Sequence, residues 1–107
     1  MIDTDRRDKA LQFLIDTDEK AAKAKALMLG LEKQEKTVLA IGTLESDEST
    51  VSQREAQARI SKEYLVWRED YENAVAEYET LRNRRHTADL VIECWRSENA
   101  NRRHGQI

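Results

Sequence analysis

Residues 82–105, RNRRHTADLVIECWRSENANRRHG, hold six arginines, two histidines and a tryptophan in a chain of formal net charge −3. Two kinds of chemistry suit that set. Guanidinium forks match phosphate oxygens and stack on bases, so arginines beside an aromatic ring are what a single-stranded nucleic-acid groove uses. The same arginines can instead zip one helix against acidic rows on another. Six arginines against Asp89, Glu93 and Glu98 give the segment +3, whereas twelve basic and eighteen acidic residues elsewhere give −6. Both readings stay open for Arg84, Arg85 and Arg96, with Glu63, Glu69, Asp70, Glu72, Glu77 and Glu79 as available partners. Zipping is the weaker reading for Arg102 and Arg103, which lie beyond the main apolar pattern in the polar tail NANRRHG.

Other chemistry finds little support. His86 and His104 share an angular position on a helix but stand about 27 Å apart along it, too far for one chain to offer both to a metal. Cys94, among Val91, Ile92 and Trp95, reads as a small hydrophobe in a helix interface rather than a nucleophile. The stretch IDTD occurs at 2–5 and at 15–18, and Asp and Thr are preferred helix caps, with Asp16 and Glu19 at capping-box spacing. Phosphate-loop, zinc-protease and nucleophile-elbow motifs are missing. The expectation is a non-enzyme without cofactor or metal.

The elements that must position the arginines follow from composition and spacing. The 107 residues include no proline and three glycines, and 36% are charged, the profile of long helices. With six aromatics and few large aliphatics the core is thin, which predicts self-association. One cysteine permits no intramolecular disulfide. The charged start MIDTDRRDK is unlike a signal peptide, and no stretch has the apolar length of a membrane span, so a cytoplasmic protein without membrane contact is expected.

One helical domain over 1–107 is predicted: a short helix 4–15, a long helix 17–42 ended by Gly42, a loop 43–50, a short helix 51–59 and a long helix 61–102. In the first long helix Ala21, Ala24, Met28, Leu31 and Val38 share a face broken at Glu35, and Glu19–Lys23 and Glu32–Lys36 have ion-pair spacing. In the last helix Tyr64, Tyr71 and Tyr78 recur every seven residues, and Trp67, Ala74 and Leu81 repeat three residues later. The seam resumes with Ala88, Ile92 and Trp95 after Arg85 interrupts it. This a/d pattern marks Tyr64, Trp67, Tyr71, Tyr78, Leu81, Ile92 and Trp95 as oligomer-interface residues. The fold class expected is all-α: long helices forming an elongated hairpin with coiled-coil-like packing, in an oligomer.

The runs VSQREAQARISKEY (51–64) and YENAVAEYETLRNRRHTADLVIECWRSENANRRHG (71–105) resemble a group of small phage and prophage proteins that accompany recombinase or single-strand annealing functions. AVAEYE, the LR at 81–82 and ADLVIECWRSENANRR carry the match, and TDEKAAKAKAL at 17–27 matches more loosely. That group is distantly similar to recombination mediators of the UvsY type. The resemblance implies a helical ring or barrel that binds single-stranded DNA and assists a recombinase or annealing protein in a bacterial host cell. Carried over residue by residue, it implies a DNA role for Arg84, Arg85, Arg96, Arg102 and Arg103, with Trp95 as oligomer anchor or stacking ring. The acidic remainder departs from such a mediator, and only an assembly of several copies would concentrate enough arginine. Two further classes stand beside it: a helical interaction or scaffold protein without nucleic-acid contacts, and a small phage inhibitor of a host defence nuclease.

Overall fold

The computed structural model describes residues 1–105, and these form three helices with no strand among them: α1, Thr4–Glu45; α2, Val51–Ile60; α3, Lys62–Gly105. The fold is all-α, with long helical segments paired antiparallel.

Helix α1 begins where Asp3 accepts the Arg6 amide on Oδ1 at 2.8 Å, an N-cap that satisfies an otherwise orphaned donor. The break expected between 15 and 17 does not occur, and the two predicted helices are one of 42 residues. The residues of the second IDTD turn back onto their own helix: the Thr17 hydroxyl donates to the Phe13 carbonyl at 2.7 Å, and Asp16 accepts from the Gln12 side chain at 2.7 Å. A seven-residue repeat also runs straight through the site. Arg7, Leu14, Ala21, Met28, Glu35 and Gly42 form one column, and Ala10, Thr17, Ala24, Leu31 and Val38 the other; all are wholly or partly buried. Gly42 likewise does not end the helix, which continues to Glu45.

Thr50 caps α2, its hydroxyl accepting from the Gln53 amide at 3.2 Å. Ser61 serves two helices, donating to the Ala58 carbonyl at the end of α2 and accepting the Tyr64 amide in the first turn of α3. Helix α3 then runs unbroken for 44 residues, straight through Arg85.

Two compact units result where a single domain is expected. The first joins Met1–Ala22 to the chain from Glu79 onward, and the second is Lys23–Tyr78. In the first, Ala10, Ala88 and Ile92 are buried with Phe13, Leu14 and Val91 packed against them. Its antiparallel pairing shows in the Ile2 amide donating to Glu98 at 2.9 Å and in Arg7 lying 4.2 Å over the Trp95 ring.

In the second unit Trp67 is buried and its indole N–H donates to the Leu31 carbonyl at 2.8 Å, while Tyr71 stacks on it at 5.4 Å between centroids. The Tyr64 hydroxyl donates to Glu35 at 3.2 Å, so the carboxylate that breaks the apolar face of α1 is the acceptor of a seam tyrosine. Helix α2 approaches α1 at Gly42, where a Cβ would meet the Ala58 Cβ at 2.9 Å. The core is thin: of the eight buried apolar residues among those described, five are alanines, beside Trp67, Leu81 and Ile92.

Two outcomes follow. Gly42→Ala gains about 1 kcal/mol of helix propensity but overpacks against Ala58, costing about 1–3 kcal/mol. Urea denaturation is expected to show a net loss, with Ala58→Gly in the same chain relieving the overpacking. Burial first, and then the bond and negative charge of Glu35, raise the Tyr64 pKa above the ordinary tyrosine value. A raised pKa means the unfolded chain loses this proton first, so the contribution of Tyr64 is complete below the ordinary value and is lost as pH climbs through the folded one. The tyrosinate absorbance that disappears in Tyr64→Phe should therefore titrate late, and Tyr64→Phe should flatten the fall in stability in strong alkali.

Candidate nucleic-acid interface

Where an arginine lies relative to the seam of α3 decides what it is free to do. Arg85 stands seven residues after Tyr78 and seven before Ile92, inside the column that faces α1. One guanidinium nitrogen donates to the Leu14 carbonyl at 2.8 Å and to the Thr17 hydroxyl at 2.7 Å; the other reaches Asp18 at 3.0 Å. The seam is therefore bridged at Arg85 and not interrupted there. A guanidinium carries five donors in a fixed fork, and three bonds to one helix leave this one committed within the chain.

The remaining arginines lie outside the seam columns or past their end. Arg84 and Arg103 are exposed, and neither has a hydrogen-bond or ion-pair partner among the described residues. Arg96 pairs with Glu93 at 3.0 Å and Arg82 lies 3.8 Å from Glu79, both within one turn and well exposed. Pairs of that kind contribute about 0.5 kcal/mol or less, so a phosphate competes with them easily. Arg102 lies against the sulfur of Met1, a weak acceptor. Arg82 was not singled out by sequence reasoning; its place seven residues before Asp89 and fourteen before Arg96, on the same helical flank, is the signal that marks it.

The residues expected at an oligomer interface divide in the same way. Trp67, Leu81 and Ile92 are buried within the chain itself, and Tyr64, Tyr71, Tyr78 and Trp95 are half-buried. One face of Trp95 is covered by Arg7, a cation–π contact with which a stacking base would have to compete for that face. Arg7, also unforeseen, occupies a seam position of α1. Cys94 is exposed, contrary to the expected place in a helix interface, because it precedes the seam residue Trp95 by one and so points about 100° away from it.

Among the described residues no cluster of three or more His, Cys, Asp or Glu converges as metal ligands, and no helix is long and apolar enough to cross a membrane. No protein-family model, curated protein or solved structure matches the chain.

Arg85→Ala removes three bonds, of which the one to exposed Asp18 contributes least. Thermal unfolding at fixed protein concentration should show a loss of about 1–2 kcal/mol, with Asp18→Asn losing about 0.5 kcal/mol or less.

Proposed function

We propose that the chain is a self-associating helical accessory of DNA recombination, which holds single-stranded DNA by the exposed arginines of α3 and assists a recombinase or annealing protein. The observation that carries this reading is the state of Arg84 and Arg103, exposed and without partners among the described residues, together with the loosely paired Arg82 and Arg96. The resemblance of residues 51–105 to phage recombination accessories supplies the setting. With Trp95 covered by Arg7, the grip is mainly guanidinium on phosphate, so binding is sequence-tolerant and strongly dependent on salt. Self-association is supported by the thin core and by exposed large apolar residues such as Leu27, Leu44 and Ile60.

A second reading, a helical interaction or scaffold protein without nucleic-acid contacts, is favoured by the internal commitment of Arg85. Titrating a fluorescent single-stranded oligonucleotide across a salt series separates the two. Each phosphate contact contributes about −0.7 to the slope of log affinity against log salt. Arg84→Ala with Arg103→Ala should reduce that slope by about 1.4 per chain in contact and weaken affinity at every sequence, whereas Arg85→Ala should leave the slope as it was. Absence of binding at low salt assigns the chain to the second reading, and an unchanged slope in the double variant removes Arg84 and Arg103 from the interface.

A further inference from the structure

The second unit carries an open groove with an unusual charge pattern. Because Gly42 has no side chain, α2 approaches α1 through Ala58, the buried residue of that helix. Beside this contact the two helices flank an open groove of about 550 Å³. Leu39, Ala40 and Leu44 supply its apolar surface, and Lys36, Arg59 and Glu55 its charges. Neither Lys36 nor Arg59 makes an ion pair among the described residues. Leu44 is 82% exposed, a leucine at the groove with nothing over it.

The outer side of α3 in the same unit has the complementary character. Leu65 and Val66 are about half exposed, and Lys62, Glu69, Glu72 and Ala76 continue their stripe at steps of three and four. The groove sets two cations and one acid around apolar residues; the stripe sets two acids and one cation around apolar residues. Glu72 is shared only with exposed Arg68 at 3.0 Å.

We propose that this groove receives the Leu65–Val66 stripe of a second copy of the chain, with Lys36 and Arg59 facing Glu69 and Glu72 and with Glu55 facing Lys62. A helix fits such a groove because its backbone is already hydrogen-bonded; an extended peptide would find no free strand edge to pair with. A nucleic acid would meet Glu55 and an apolar surface without an aromatic ring. Two different patches per copy are what a heterologous, head-to-tail contact consumes. The inference rests on the self-association named above and is independent of DNA binding.

Sedimentation of the full chain without DNA tests it. Wild type should associate in a concentration-dependent way. Lys36→Glu with Arg59→Glu should weaken association about tenfold or more, and so should Glu69→Lys with Glu72→Lys. An equimolar mixture of the two variants should assemble again, because each reversed groove then meets a reversed stripe and each native groove a native one. A monomeric wild type overturns the proposal and leaves the groove to another partner. Association of either variant at wild-type strength, or a mixture that stays dispersed, overturns it as well. Circular dichroism of the variants, whose changes are all at exposed residues, checks that the helices remain. Because Arg84 and Arg103 are untouched, the salt slope of DNA binding stands or falls separately.

Discussion

A single seven-residue repeat, rich in alanine and poor in large apolar side chains, is the constraint on which the rest depends. Helix α3 supplies tyrosine and tryptophan to the seam together with Ala74 and Ala88, and α1 supplies Ala10, Ala21 and Ala24 together with Leu14, Met28, Leu31 and Val38 and the polar Arg7, Thr17 and Glu35. Small residues let two helices approach closely, but they bury little apolar area, and area sets the hydrophobic gain at about 25 cal/mol per Å². The seam therefore cannot rely on oil alone. At Glu35 and Arg85 it inserts polar groups, and each is answered from the opposite helix within its own unit, by the Tyr64 hydroxyl and by Leu14, Thr17 and Asp18. Such polar insertions specify register: slipping the pairing by one repeat would leave a half-buried carboxylate or guanidinium unpaired, and unpaired charge is costly.

The same constraint sorts the arginines. All six of residues 82–105 have identical intrinsic chemistry, and one of them, Arg85, falls in a column that faces α1. Its guanidinium is structural because of position. Arg82, Arg84, Arg96 and Arg103 lie off the column; Arg82 and Arg96 pair with acids one turn away on their own helix, and Arg84 and Arg103 have no partner among the described residues. A phosphate approaching them displaces water and weak ion pairs, while one approaching Arg85 would have to break three bonds.

The legibility of these features in the sequence varied with the chemistry of the repeat. Tyrosines at 64, 71 and 78 make the α3 seam plain, since aromatics at seven-residue spacing rarely arise except along a packed helical stripe. The seam of α1 is harder to see because its columns contain Arg7, Thr17, Glu35 and Gly42, which an apolar template scores as breaks. Asp16 and Thr17 misled for a related reason. The groups that cap a helix start also bond back within a helix, and only the continuity of the repeat on both sides distinguishes the two. The fate of Arg85 was beyond a single-helix reading altogether, because it depends on which residues of α1 lie opposite, and that register is a tertiary fact.

Charge arithmetic links the basic end to assembly. The unit containing the arginines has ten acidic and ten basic residues, and the second unit has eleven acidic against eight basic. In the reading proposed above, a single copy offers DNA a local arginine row on a background that is neutral to acidic, and at physiological salt the screening length is about 8 Å. Over that range a phosphate senses the row and not the net charge of the chain. One row supplies few contacts, so its affinity is modest. Copies held together as proposed would present several rows to one strand, and each row engaged after the first would bind at the effective concentration set by the assembly. An acidic chain can in this way hold an anionic polymer, provided that assembly is built from surfaces other than the arginine rows. The exposed apolar groups of α1, α2 and the first half of α3 are surfaces of that kind.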